Sequence, residues 1–334
     1  MPSFKLAMLF IVYLLVTNFS YCYSFDVTVS LDGTGNYVKI SDAIAAAPNL
    51  STKRFSIHVK PGTYKELIEV PPSKTFIALI GDDASTTIIV DDRSNGTGST
   101  TATSATLTVR GANFMAQSLT FQNSAGPKEH QAVAVLDQAK HSAYYKCVFL
   151  GYQDTLYAGG LPQFFRECDI YGSIDFIFGN GVTVFQDCNI YVREFGIKTT
   201  VTAQSKANID DQSGFVFQNC KVTVSPEIAS SKDKVLLYLG RPWKEYSTVV
   251  FIESFLDTVV QPKGWLGWPD VPVDQLFFAE YNNTGPGADT SRRVDWPGYH
   301  ILHTATQVTR FTVENFIGGS QWLPETGIPF RTGF

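Results

Sequence analysis

The chain has 334 residues, of which 17% are charged and 44% hydrophobic, with a formal net charge of −5. That balance predicts a sizeable buried core and excludes a disordered chain. The acidic surplus argues against a nucleic-acid partner, and no basic run offers a polybasic membrane anchor.

The N-terminus opens with Lys5 and an apolar run from Leu6 to Val16, then turns polar toward Cys22-Tyr23-Ser24. This predicts a secretory signal peptide over residues 1–24, cleaved after Ser24 or after Cys22, and too short to span a bilayer. No later segment reads as transmembrane. Residues 25–334 show no linker or break in composition and are expected to form a single domain. "ISDAIAAAPN" predicts a short helix with Ser41 as N-cap and Pro48 as its stop, placed to cap one end of the core. Three N-x-S/T sequons in turn-like surroundings, at Asn49, Asn95 and Asn282, are candidate glycosylation sites.

The middle of the chain repeats. "YYKCVFLG", "FFRECDIYG", "VFQDCNIYV" and "VFQNCKVTV" share one frame around Cys147, Cys168, Cys188 and Cys220. "FMAQSLTFQ" and "VFIESFLDT" fit it with Ser118 and Ser254 at the Cys position. The steps from residue 118 are 29, 21, 20, 32 and 34 residues. A strand-rich, degenerate period predicts an all-β chain, a parallel β-helix solenoid whose coils stack about 4.8 Å apart. An antiparallel sandwich fits less well, because two-residue Asn-Gly or Asp-Gly hairpin turns are scarce between the strands. Stacked cysteines on adjacent coils allow a disulfide, with Cys147 and Cys168 the first pair to test. A reduced, buried ladder is equally compatible. The Pro-, Gly- and Trp-rich tail after Trp265 reads as loops and a terminal lid.

The frame places chemistry. Asp154 and Asp175 each lie seven residues after a ladder cysteine, and 21 residues separate them, one coil. Gln131 precedes Gln153 by 22, again about one coil. Gln131, Gln153, Asp154 and Asp175 are therefore expected to cluster across three coils. Two carboxylates at inter-coil distance in a partly dry site cannot both ionise freely, so one keeps a proton while the other is charged. That arrangement supplies an acid beside a nucleophile or base, and the two amides could serve an oxyanion. Such a pair also suits a retaining glycosidase, so spacing alone leaves both chemistries open. Arg241, on the tight turn of "YLGRPWKEY", is the candidate partner that would keep one carboxylate ionised. Phe176 and Phe178, of opposite parity to Asp175, are expected to anchor that strand in the core. Trp243, Trp265 and Trp268 could pack a lid or stack on sugars.

Other signals fail. "DGTGNY" lacks the third glycine of a dinucleotide loop, no G-x-S-x-G elbow occurs, and His130 and His141 lack metal-ligand spacing.

"KPGTYKE" (60–66), "HQAVAV" (130–135), "GYQDTLY" (151–157), "DFIFGN" (175–180) and "YLGRPWKEY" (238–246), in that order, resemble plant-type pectin methylesterases, the pectinesterase family. The resemblance implies a right-handed parallel β-helix that removes methyl groups from galacturonate esters of pectin (homogalacturonan), without a cofactor or metal. It implies Asp175 as nucleophile, Asp154 as general acid and base, and Gln131 and Gln153 as oxyanion donors. Arg241 would orient the nucleophile, and Trp243, Trp268, Gln131 and Arg241 would contact substrate. With the signal peptide it implies a protein secreted to the cell wall, with a proteinaceous pectinesterase inhibitor as a possible partner; a monomer is the default expectation for a solenoid with capped ends.

The chain departs from that pattern in three ways. No inhibitor-like pro-region is expected between Ser24 and the first family motif. The loop "STTATSAT" (99–106) lacks the phenylalanine many relatives carry there. The chain is acidic where many plant members are basic.

Overall fold

A computed structural model describes residues 24–193 and 198–334. The segment read as a signal peptide, up to residue 23, lies outside the described residues. The chain winds into three parallel sheets of eleven, seven and eight strands. One coil shows the plan: Ser142–Tyr145 in the first sheet, Val148–Leu150 in the eight-stranded sheet, Leu156–Ala158 in the seven-stranded one, then Gln163–Arg166 back in the first. This is the solenoid predicted from the repeat.

Stacking in register follows from parallel pairing at the inter-strand distance. Tyr144, Phe165, Phe185, Phe217 and Phe251 pair coil to coil, and their rings stack 4.5–4.8 Å apart inside the helix. That spacing equals the strand repeat, so each buried ring touches the next without leaving its rotamer. The bend into the eight-stranded sheet uses one left-handed residue per coil: Ser118, Lys146, Glu167, Asp187, Asn219 and Glu253 all have φ between 50° and 56°.

That corner corrects one expectation. Thr120 pairs with Val148, so Leu119, not Ser118, occupies the position of Cys147. Ser254 does occupy it, one residue before Phe255, which pairs with Lys221. Cys147, Cys168, Cys188 and Cys220 are buried and free, so the Cys147–Cys168 disulfide does not form. The thiols point along the coil corner instead: Cys168 Sγ donates to Tyr144 O at 3.5 Å and Cys220 Sγ to Phe185 O at 3.3 Å. The reduced ladder, left open by the sequence, is the one found.

The capping helix spans Ile40–Ala46, with Lys39 at its N-cap position. Ser41 lies inside the first turn rather than capping it. Glu66 does the capping from a neighbouring strand end, accepting from Ile40 N, Ser41 N and Ser41 Oγ at 2.8–3.1 Å. A carboxylate there meets both the free amides and the helix dipole.

The tail is more than a lid. Beyond Trp265, Phe277–Tyr281 and Tyr299–Leu302 supply the last two strands of the eleven-stranded sheet. Short helices at Val313–Ile317 and Gly319–Trp322 then lay Val313, Ile317 and Trp322 over the outer face of that sheet, against Phe164, Val184 and Val216. Among the described residues no helix is long and apolar enough to cross a membrane. Asn49, Asn95 and Asn282 are all exposed.

Candidate active site

The outer face of the seven-stranded sheet carries one column of side chains. Leu136, Tyr157, Phe178, Ala203 and Arg241 are paired strand to strand, and all but Leu136 line a cleft of about 530 Å³. Gln131, Gln153, Asp154 and Asp175 line the same cleft. The coil count thus brought together the four residues it predicted to meet. Leu156 pairs with Ile177, which places Asp154 and Asp175 at equivalent positions two residues earlier on adjacent coils. The coils are tied there by Asp154 N donating to Ile174 O at 3.1 Å. One coil back, Ala132 N donates to Gln153 O at 3.2 Å and holds Gln131 beside its partner.

Both aspartates sit in left-handed backbone, with φ of 63° at Asp154 and 50° at Asp175. Asp tolerates this region better than most residues. The register of Ile174–Gly179 against the next strand shifts between Ile174 and Ile177. Parity therefore fails across the shift. Phe176 and Ile177 both enter the core, whereas Phe178 turns outward into the cleft, contrary to the expectation that it would anchor the strand.

Asp175 is held on both oxygens. Arg241 Nε donates to Oδ1 at 2.8 Å and Arg241 Nη2 to Oδ2 at 2.6 Å, a bidentate pair. Thr200 Oγ1 donates to Oδ1 at 2.6 Å and accepts from Asp175 N at 3.0 Å. Arg241 itself stacks on Trp268, its guanidinium carbon 4.0 Å from the ring centroid. Arg241 thus lies beside Asp175, the juxtaposition the sequence could not place.

Asp154 has the opposite environment. It is 8% exposed and makes no ion pair among the described residues. Burial pushes its carboxyl well above the usual range, the Asp175 charge adds to that, and Arg241 only partly offsets it. Burial and the neighbouring Asp175 charge thus both favour the protonated form of Asp154. The side-chain amides of Gln131 and Gln153 have no hydrogen-bond partner among the described residues, so their N–H groups are free to meet a ligand oxygen.

The aromatic walls divide as follows. Trp243 and Trp268 flank the cleft with Tyr157 and Phe178, and Phe178 meets Tyr157 at 4.5 Å and Trp243 at 6.2 Å. Trp265 is buried core, stacked 4.4 Å from Phe278. Thr100, Thr101 and Ala102 form the wall where relatives are expected to carry phenylalanine, so that side is lined by small groups. Sequence reasoning missed Thr200, Tyr157 and Phe178. Thr200 follows Asp175 by 25 residues and pairs with Ile174, so a coil count extended one step further would have found it.

A coil-stacked carboxylate pair, one member clamped by arginine, in an aromatic groove on a right-handed parallel β-helix leaves acyl transfer and glycoside hydrolysis both open. Comparison with known proteins narrows this: the pectinesterase family model matches residues 26–320, and the chain belongs to that family. It is 46% identical over 310 residues to pectinesterase 2 of Citrus sinensis, covering 92% of this chain and 60% of that protein. It is likewise 46% identical to the probable pectinesterase/pectinesterase inhibitor 39 of Arabidopsis thaliana, covering 93% of this chain and 59% of that protein. The chain thus spans about three fifths of these curated relatives. Among solved structures, pectin methylesterase from carrot superposes with a TM-score of 0.92 at 42% identity, covering 93% of this chain and 98% of that one.

Proposed function

We propose that the protein hydrolyses methyl esters of galacturonate units in pectin, releasing methanol and leaving free carboxylates, and that it does so as a secreted enzyme of the plant cell wall. The observation that carries this reading is the asymmetry of the two carboxylates. Asp175 is clamped by Arg241, while Asp154, one coil away, is buried without a cation of its own, which favours its protonated form.

The mechanism follows from that asymmetry. Asp175 Oδ1 already accepts two side-chain hydrogen bonds and Oδ2 one, which leaves Oδ2 the freer oxygen to attack the ester carbon. The carbonyl oxygen becomes an oxyanion facing the free amides of Gln131 and Gln153. Collapse of the tetrahedral intermediate expels the methoxy group, which takes the proton of Asp154 and leaves as methanol. An anhydride then joins Asp175 to the galacturonyl group. Asp154, now a carboxylate, takes a proton from water, and the hydroxide adds to the galacturonyl carbon. The Asp175 carboxylate leaves, the product acid loses its proton to solvent, and Asp154 is protonated again for the next cycle.

Trp243, Trp268, Tyr157 and Phe178 supply the apolar faces against which sugar C–H surfaces and the ester methyl can pack. The relatives named as pectinesterase and pectinesterase inhibitor together suggest a proteinaceous inhibitor as a partner for this cleft.

The test is methanol release from methylated polygalacturonate. Wild type should release methanol and acidify the medium without shortening the chain. Asp175→Asn should lose at least about a thousandfold in turnover while keeping its fold. New reducing ends, or near-normal methanol from the variant, would overturn the reading.

A further inference from the structure

Gln131 is held in a place that its own segment does not enforce. His130, the residue before it, has φ 60° and ψ −143°, a backbone conformation that residues with side chains rarely adopt. Such a residue persists only where its surroundings over-determine it. Residues 130–134 belong to no strand, so a regular ladder does not supply the restraint.

The restraint comes from a loop, residues 93–106, whose tip Thr100–Ala102 walls the cleft. Asn95 N donates to Gln131 O at 2.9 Å and Gly96 N to Glu129 O at 3.0 Å. A side chain on Gly96 would overlap Glu129, so the two segments lie flush. Val133 N donates to Ser104 Oγ at 3.1 Å, and Ser104 Oγ in turn donates to Thr101 O at 2.8 Å. One residue outside the loop ties it down. Asn123 ends the strand Thr120–Asn123 and is 3% exposed. Its Nδ2 donates to Arg93 O at 2.8 Å and to Ser104 O and Val133 O at 3.1 Å each. Its Oδ1 accepts from Ala125 N at 3.1 Å. A single buried amide thus joins both ends of the loop to the segment just beyond Gln131. Neither Asn123 nor Ser104 lines the cleft. Gln153 stands outside this knot, because its neighbour Asp154 is tied by its N–H to Ile174 O on the following coil.

We propose that Asn123 is a positioning residue for catalysis: its side chain fixes the backbone of residues 130–133 and through it aims the Gln131 amide at the developing oxyanion. The inference rests on the esterase reading above, with Gln131 serving the oxyanion. A donor of that kind acts where charge develops, so loosening Gln131 slows the chemical step and leaves substrate binding nearly unchanged.

The experiment is a double-mutant cycle in the full chain. Asn123→Ala and Gln131→Ala are made singly and together, and kcat and KM are measured by methanol release from methylated oligogalacturonate. Asn123→Ala is expected to lower kcat about tenfold and to change KM by less than about twofold. In the Gln131→Ala background the same substitution should lower kcat by less than about twofold, because the group it aims is gone. A merely structural role would not depend on Gln131. An equal loss in both backgrounds, or a loss confined to KM, would overturn the proposal. Removing the Asn123 amide leaves buried carbonyls without their donor. If that variant misfolds, Ser104→Ala takes its place in the cycle, with a loss of about threefold in kcat and the same dependence on Gln131 expected.

A second readout needs no turnover. Amide hydrogen exchange over residues 129–134, read by mass spectrometry, should quicken about tenfold in Asn123→Ala, while residues 151–158 exchange as in the parent. Unchanged exchange over 129–134 would overturn the proposal whatever the kinetics. The two readings fail separately. If the parent releases methanol but the two substitutions act independently, only the positioning role falls. If the parent releases none while exchange over 129–134 quickens in Asn123→Ala, the esterase reading falls and Asn123 remains the tether of Gln131.

Discussion

Two arginine–carboxylate pairs in this protein are built alike and used differently. Glu280 and Arg293 form a bidentate pair near the C-terminal end of the solenoid, with side chains 2% exposed on both partners. Glu280 Oε1 also accepts from Tyr299 Oη at 3.1 Å and Trp265 Nε1 at 3.4 Å, while Arg293 donates to Pro262 O and Gly287 O. Every face of that pair is occupied. Asp175 and Arg241 form the same bidentate geometry, but their side chains are 7% and 26% exposed, and one edge faces the cleft. A saturated pair can only hold coils together. A pair left open on one edge can hold a reacting oxygen in place and still let it react.

The largest effects should separate the two. Glu280→Ala leaves Arg293 charged and buried without a partner, which should cost about 3–5 kcal/mol of stability. Chemical denaturation would read it, and turnover per folded molecule should barely change. Arg241→Met should do the reverse. Water in the cleft can solvate Asp175, so the unfolding midpoint should move by only a few degrees while kcat falls by about two to three orders of magnitude. If Arg241→Met proved as destabilising as Glu280→Ala, the distinction between sealed and open pairs would fail.

A third buried carboxylate sharpens the contrast, because no cation meets it. Asp137 is fully buried and accepts from Ala139 N at 2.8 Å and Tyr144 Oη at 2.9 Å. Burial pushes its carboxyl up to about 6, against lowering by its hydrogen bonds to Ser142, Ala139, Tyr144 and Gln163. The folded state therefore holds this proton more tightly than the unfolded chain does. Its contribution is fully present below the unfolded value of 3.8 and is lost as pH rises through about 6. That raised acid corresponds to about 3 kcal/mol at most. Asp137→Asn should flatten the decline of unfolding free energy between pH 4 and 7, measured by denaturant titration at each pH. An unchanged slope would show that Asp137 is not its source.

The smallest effect tests how Asp175 is aimed. Thr200→Val removes the hydroxyl that occupies Oδ1, and should lower kcat about tenfold with little change in KM, the size of one hydrogen bond to a charged group. Thr200→Ser should restore most of it. A loss in KM rather than kcat would mean that Thr200 shapes the groove and not the carboxylate.

Much of this was legible in the sequence because stacking imposes arithmetic. The offset between Asp154 and Asp175 survived intact, since the coil between them is regular. Legibility failed where a local bend broke the count. Ser118 proved to be the left-handed corner residue, equivalent to Lys146, which leaves the ladder position to Leu119, and the register shift after Ile174 sent Phe178 outward. Ser41 lost its expected role because Glu66, remote in sequence, brought a full charge to the helix end. The ladder cysteines met the distance condition for a bond but not the direction condition, which residue spacing does not encode. Phe277–Tyr281 escaped notice because Pro- and Gly-rich neighbours hid a regular strand.

The internal column of rings from Tyr144 to Phe251 carries a further consequence. Phe165, Phe185 and Phe217 are each wedged between rings on the coils before and after, and the column continues toward the N-terminus through Ala116, Leu79 and Ile57, so each coil contributes one tile. The chemistry draws on the stretch between Thr100 and Trp268, and the first coils, up to Asp91, contribute no group to the cleft. Those coils form a plinth. Evolution or an engineer could lengthen or reshape it, tile by tile, and change how the molecule is anchored and presented without moving an atom of the reacting centre.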